Sequence, residues 1–316
     1  MKSKQHKKVE YRYYEVPQDV PVLALLGEGW VRQYGEEGPN ALHFHNQMEI
    51  GYCYEGHGDL IIDDISIPYK ENTFSIFPRN VCHTTVSNDL MYCRNEYLFI
   101  DVEGFVSNMA EEDRRFGEKL IAHVNRKSIA LSYDENPALG DAILALIREM
   151  RTKKRFYQTS VKGLLLTLLV EIAREDMRDD STPEPASVIG YKQRLLIRDA
   201  LTFIDGHYGE VIRIATLADR CHMSETHFRR LFRSIMHITP LEYINIVRVE
   251  MACDLLRNTE YGMDIIAQRV GYMSISSFNR NFTKVTAITP MQWKKSPDHY
   301  EQKLRNYQIV SMQGWR

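Results

Sequence analysis

Hydrophobic and polar positions along this chain change their period twice. Residues 20–103 read as short strands. Ile61 and Ile62, then Ile65 and Ile67, flank Asp63 and Asp64, which suit a hairpin turn. Gly51, Gly56, Gly58, Pro68 and Pro78 punctuate short runs such as Thr73–Phe77. From about residue 105 to 178 the period becomes helical. Leu139, Ile143, Leu146, Ile147 and Met150 recur at i, i+4, i+7, i+8 and i+11. Val161, Leu165, Leu168 and Ile172 then recur at heptad spacing. The two helices, joined near residues 156–159, make an antiparallel pair. Their stripe either packs on the β structure or forms a helical dimer seam. Residues 179–190 are polar, hold two prolines and break the period, so they suit a linker. Everything after them is helical in pattern.

The C-terminal part contains an internal repeat. Ser224, Phe228, Arg230, Phe232, Ile238, Thr239, Pro240 and Tyr243 return 50 residues later as Ser274, Phe278, Arg280, Phe282, Ile288, Thr289, Pro290 and Trp293. In the first copy, Ile214, Leu217, Ala218 and Cys221 stripe a short helix, and a turn through His222 and Met223 follows. Ser224 suits the N-cap of the next helix, which buries Phe228, Leu231, Phe232 and Ile235. In the second copy, Ile265, Ile266, Ala267 and Val270 make the stripe, and Gly271 fits a left-handed helix end. Ser274 caps a helix that buries Phe278 and Phe282.

Two short helices joined by a tight turn, the second with arginines outward, follow the helix-turn-helix plan. On a helix Arg230 stands about 200° from Phe228, so it faces away from the core. The first outward face offers Glu225, Thr226, His227, Arg229, Arg230 and Arg233. The second offers Ile275, Ser276, Asn279, Arg280 and Lys284. Arginine and asparagine suit bidentate contacts with guanine and adenine edges in the major groove. One charged face is ordinarily a solvated face. Two copies of it point to DNA. Pro240 opens a helix that can run to about Asn258, roughly 27 Å. Such a strut suits two readers about one DNA turn, ~34 Å, apart.

Charge agrees with this division. Residues 187–316 carry 18 Lys and Arg against 12 Asp and Glu, a balance of +6; the remainder carries 22 against 30, a balance of −8. A basic end on an acidic body hints at nucleic acid. At roughly 100–200 residues per domain, 316 residues suggest two or three domains with real cores. The longest apolar stretch, residues 163–173, spans 11 residues, where a bilayer needs roughly 20. The basic start lacks an apolar region, so it does not read as a secretion signal. Cys53, Cys82, Cys93, Cys221 and Cys253 form no CxxC pair, which fits free thiols in a reducing cytoplasm.

Residues 196–295 strongly resemble the DNA-binding domain of the AraC/XylS family of bacterial transcription regulators. The resemblance rests on IATLADRCHMSETHFRRLFRSIMHITPLEYI and DIIAQRVGYMSISSFNRNFTKVTAITPMQW. It implies base contacts from Thr226, Arg229 and Arg230 in the first reader, and from Ser276, Asn279 and Arg280 in the second. Thr226 stands where some members carry a large aromatic, and Thr283 follows Phe282 where members often have Lys. His227, Arg233 and Lys284 complete the expected DNA-binding set. Promoter DNA, RNA polymerase and a second copy of the chain are the partners implied.

His43, His45 and Glu49 share parity on one apparent strand, and His83 follows 34 residues after Glu49. His43, His45, Glu49 and Gly56 meet HxHx3Ex6G; Pro78 and His83 meet PxGx2H, with Asn80 in place of Gly. Both patterns resemble the cupin β-barrel, in which such a set can bind a divalent metal, and the AraC-type sensor domain resembles a cupin too. Three imidazoles and a carboxylate suit Mn, Fe, Ni, Cu or Zn. The same groups can instead hydrogen-bond an organic effector such as a sugar, or serve only the fold. Tyr52 and Tyr54 differ from Glu49 in parity and should face helices; Phe77 suits the core. Residues 20–33, with Trp30 and Arg32, are the candidate for an arm that closes over the ligand.

The expected protein is a multidomain α+β chain. A cupin-like effector barrel occupies residues 1–104, a helical dimerisation segment 105–180, a linker 181–190, a double helix-turn-helix domain 191–296 and a tail 297–316. Effector binding would shift the population of DNA-binding arrangements. The competing reading is a metal-dependent cupin enzyme with an appended DNA-binding part; no nucleophile–base pair or phosphate loop supports it.

Overall fold

The computed structural model describes residues 9–177 except 18, 36–41, 63–64 and 89–90, then residues 196–295, 309–310 and 314–315. The expected linker, the Asp63–Asp64 turn and most of the tail lie outside the described residues. The chain divides into two compact units, one built on the strands and the helices that follow them, the other on the C-terminal helices.

The first unit holds two sheets. Strands β4 (His43–His45), β9 (His83–Ser87), β6 (Gly58–Ile62) and β7 (Ile65–Tyr69) form one sheet in the order β4-β9-β6-β7; the residues of β1 (Glu10–Arg12) are divided between the two units. The other sheet has the order β11-β8-β5-β10-β2. It joins β11 (Ile129–Ser132), β8 (Thr73–Phe77), β5 (Met48–Glu55), β10 (Cys93–Ile100) and β2 (Val22–Leu25), and β3 (Val31–Arg32) also pairs with β10. Ile62 pairs with Ile65, so the strands flanking the expected turn do form a hairpin. The expected cupin-like barrel takes the form of two sheets facing across a shared interior and does not close. The chain bends at Asn46 and Gln47, between β4 and β5, and so passes from one sheet to the other.

Strand β5 shows why the pattern was readable. Met48, Ile50 and Tyr52 join the core beneath the helices, while Cys53 packs into the interior with Leu60, Ile62 and Phe77. Both faces are covered, so residues 48–53 are all buried. Tyr52 and Tyr54 lie on the helix side, as their parity requires.

Helices α1 (Val102–Met109), α2 (Arg114–Val124), α3 (Pro137–Thr152) and α4 (Tyr157–Asp176) pack on the six-stranded sheet. Val161, Leu165, Leu168 and Ile172 are at most 1% exposed within that core. The heptad stripe is therefore consumed inside the chain, and the dimer-seam reading of it is corrected. Two further expectations change. Residues 105–178 are not all helical, because Ile129–Ser132 pairs with β8. Residues 20–33 are not an arm: Val22–Leu25 and Val31–Arg32 pair with β10, and Trp30 is 1% exposed. Long-range pairing overrides their short, unremarkable local pattern.

The second unit has two small cores on either part of the helix Pro240–Asn258. Tyr243, Ile244 and Val247 serve the first, and Val249, Ala252, Cys253 and Leu256 the second. Thr239 and Glu242 form a capping box at its start, with Pro240 at the first helical position. Thr289 and Gln292 repeat that exchange of bonds in the second copy. Ile265, expected in the buried stripe, is 42% exposed. It neighbours Ile266 on a short helix, and only one of the two can face the core.

Leu168→Ala should destabilise the first unit by about 2–5 kcal/mol, because its side chain fills a core and not a seam. Urea unfolding at two protein concentrations checks this; a loss that vanishes at high concentration would restore the seam.

Candidate nucleic-acid interface and imidazole–carboxylate cluster

Each repeat copy builds one outward-facing helix. In the first, Ile214–Arg220 ends in a turn where His222 is left-handed (φ 54°) and Met223 N–H donates to Ala218 O. Ser224 accepts from His227 N–H and starts Glu225–Met236. In the second, Met263–Arg269 ends with Gly271 at φ 88°, where an added Cβ would lie 2.6 Å from Tyr208 O. Ser274 caps Ile275–Thr286. Phe228 and Phe232 lie 5.6 Å apart between ring centroids, as do Phe278 and Phe282, and all four are fully buried. Tyr243 packs 5.8 Å from Phe232, and Trp293 5.9 Å from Phe282. The repeat is thus the same three-aromatic core built twice.

This anchoring places every residue of the expected DNA-binding set in solvent. Thr226, His227, Arg229, Arg230 and Arg233 are exposed on the first helix, as are Ser276, Asn279, Arg280 and Lys284 on the second. Arg230 Nη2 lies 3.4 Å from His227 Nδ1. Lys284 Nζ donates to Glu242 Oε1 at 3.3 Å. Glu242 also carries the capping box, and its backbone bond with Thr239 and the Lys284 ammonium hold its carboxyl below the usual value.

The predicted His–Glu set also converges, though not on one strand. His43 and His45 lie on β4 in one sheet, with His43 paired directly to His83 of β9. Glu49 lies on β5 in the facing sheet, flanked by Phe77 and Phe99. One ligand atom from each of the four lies within 4.8 Å of every other, and all four residues are buried. The bend at Asn46 and Gln47 preserves the shared inward direction that parity suggested. Asn80, standing where the cupin pattern has Gly, adopts φ 61°, and its N–H donates to His45 O. That bond ties the loop before His83 to β4.

The imidazoles are oriented from behind. His45 Nδ1 lies 2.7 Å from Gln47 O, and His83 Nδ1 lies 2.9 Å from Val81 O. Both carbonyls can accept only if Nδ1 carries the proton, which leaves each Nε2 turned to Glu49 Oε2, at 3.1 Å and 3.4 Å. Phe77 stacks on the His83 ring at 4.0 Å. Burial pushes the His45 pKa down and favours the neutral ring, against the pull of Glu49. Burial would raise Glu49, but the facing His83, and after it His45, outweigh it and hold the carboxyl well below its usual value.

Beside the cluster lies a half-open pocket whose enclosed space is small, about 20 Å³, room for roughly one water. Gly51, Ser75, Thr85, Asn95, Tyr69 and Tyr97 line it. Gly51, Ser75, Thr85 and Tyr97 stand two residues beyond Glu49, before Phe77, beyond His83 and before Phe99, so they form the next inward layer. A Cβ at Gly51 would lie 2.7 Å from Ser75 Oγ, so glycine keeps the space open. Tyr69 Oη and Asn95 Nδ2 are buried without completing a hydrogen bond. Sequence reading missed this layer; stepping by two from Glu49 and His83 would have found it. All five cysteines are free, and burial pushes the Cys53 thiol up to about 12.

A family model described as a helix-turn-helix domain matches residues 217–296, which holds both outward-facing helices. The regulatory protein SoxS of Escherichia coli is 30% identical over 109 residues, covering 34% of this chain and 95% of SoxS. The chain belongs to the AraC family of transcription regulators. The HTH-type transcriptional regulator AlkR of Acinetobacter baylyi is 31% identical over 140 residues, 44% of this chain. The match spans only 43% of AlkR. The melibiose operon regulatory protein of Escherichia coli is 20% identical over 258 residues, covering 80% of this chain and 83% of that protein. No helix among the described residues is long and apolar enough to cross a membrane.

Acid should loosen the first unit in two stages. His45 is held neutral in the fold, so the unfolded ring takes up a proton first as pH falls below about 6.5. Glu49 stabilises the fold above its ordinary value of 4.5, and that contribution is lost as pH falls toward its depressed folded value. Urea midpoints from pH 7.5 to 3.5 should fall throughout, and Glu49→Gln should remove the lower stage. A flat wild-type profile would refute the coupling.

Proposed function

We propose that this chain is a sequence-specific DNA-binding regulator of transcription, controlled by a small molecule held in the cavity beside the His–Glu cluster. The observation that carries the reading is the doubled helix pair, each copy turning a polar, arginine-bearing face outward from the same aromatic core. Both pairs act as helix-turn-helix readers. Thr226, Arg229, Arg230, Ser276, Asn279 and Arg280 address base edges, and His227, Arg233 and Lys284 sit beside them toward the phosphates. The partners of this reading are double-stranded promoter DNA and RNA polymerase, in the cytoplasm. Homodimerisation belongs to it through a face other than the Val161–Ile172 stripe.

The effector site is His43, His45, Glu49 and His83 with the adjoining cavity. Its donors fit a divalent metal: backbone carbonyls hold Nδ1 of His45 and His83, and their Nε2 atoms converge on one carboxylate. Bound there, such an ion would supply open coordination positions for a chelating effector. Ser75, Thr85 and Tyr97 would orient a small hydroxyl- or carboxylate-bearing molecule by hydrogen bonds.

Two measurements test this. Arg230→Ala should weaken binding to a duplex selected by the wild-type chain by about 1–3 kcal/mol, read by fluorescence anisotropy. Unchanged affinity and base preference would count against the docking. Protein purified without chelator or affinity tag should carry stoichiometric metal that His45→Ala loses. Metal-free wild-type protein would leave an organic pocket without an ion.

A further inference from the structure

The two outward-facing helices share one plan but differ at the first residue after each N-cap. Glu225 follows Ser224, and Ile275 follows Ser274. In the first helix, Arg229 donates from Nε at 2.8 Å and from Nη2 at 2.6 Å to the same oxygen, Glu225 Oε1. The side chains are 45% and 49% exposed, so the pair adds little to stability. Its consequence is orientation. One edge of the guanidinium is engaged by Glu225, while the Nη1 hydrogens and the second Nη2 hydrogen stay available. Two parallel donors of that kind suit O6 and N7 of guanine. An arginine held beforehand also loses less rotamer freedom when it binds. Glu225 Oε2 takes no part in the pair. It is an acceptor suited to the cytosine amino group and repelled by the acceptor edges of other bases.

The second helix has none of this. Ile275 is 46% exposed, and no ion pair holds Arg280 among the described residues. The turn before it is one residue longer than in the first copy, and Met273 stands 93% exposed beside the helix start. The major groove offers an exposed apolar side chain one specific partner, the thymine methyl group. Asn279, four residues after Ile275, suits the adenine edge.

We propose that Glu225 and Ile275 are specificity-determining residues that divide the operator chemically. Glu225 positions Arg229, so the first helix selects G·C pairs. Ile275 and Asn279 make the second helix select A·T pairs at the positions they reach, beside the pair that Arg280 reads. The proposal rests on the reading that both helices bind DNA, and it adds what each one reads.

The test is selection of duplexes from a random library by the full chain, wild type beside Glu225→Ala, Ile275→Glu and Arg230→Ala. Wild type should enrich a G·C-rich block and an A·T-rich block about one turn apart. Glu225→Ala should relax guanine preference in the first block about tenfold, with the A·T block and the salt dependence unchanged. Ile275→Glu should erase the A·T preference alone. A merely structural role would weaken binding to all sequences alike. Both residues are exposed, and unaltered circular dichroism melting of the variants confirms that they fold. If wild type enriches a sequence and Glu225→Ala enriches the same one, or if the second block is not A·T-rich, this inference fails while DNA binding stands. If wild type enriches nothing, and Arg230→Ala behaves identically, the DNA-binding reading itself fails.

Discussion

Each outward-facing helix depends on two phenylalanines one turn apart, Phe228 with Phe232 and Phe278 with Phe282. A twelve-residue helix has only one face to bury. Once two rings, each contributing roughly 1.5–3 kcal/mol on burial, occupy that face, the rest of the circumference must meet solvent. The rotation of the helix is then set, and with it the direction of Arg230 and Arg280. Tyr243 and Trp293 close each aromatic core from the next helix. Ser224 and Ser274 hold the near ends. The aromatic core fixes which side of each helix faces inward, and the cap fixes where the helix begins.

The first unit obeys a different period with the same logic. Strand β5 alternates between the helix-covered core and the interior, and that alternation turns Glu49 inward. Placing a carboxylate between Phe77 and Phe99 is costly unless charge or hydrogen bonds offset it. His45 and His83 supply the offset, each held by a backbone carbonyl behind it. A cavity beside the cluster, kept open by Gly51, shows an interior that forgoes close packing where polar groups gather.

The legible features were local. The repeat exposed its caps, its buried phenylalanines and its outward arginines, because each follows from spacings of two to four residues. Parity picked out His43, His45 and Glu49 correctly as inward-facing, although they belong to two strands of different sheets. The errors were of another kind. The Val161–Ile172 stripe announced a buried face without saying what would bury it. Ile129–Ser132 is too short to show a strand period within helical surroundings. Residues 20–33 looked like an appendage until their pairing with β10 was visible. The Ser75, Thr85 and Tyr97 layer carries no motif, only position.

By itself, then, the sequence determined the helix ends, the inward and outward sides of each element, the doubling of the C-terminal plan and the residues available for chemistry. These properties depend on neighbours within about one turn of helix or two residues of strand, so the order of residues is enough to set them. The tertiary structure alone decided that the two sheets stay separate, that the heptad stripe serves the internal core, and that four cluster residues meet within 4.8 Å. All three join residues far apart along the chain. Such contacts are chosen by the competition of whole surfaces for burial, which no local period encodes.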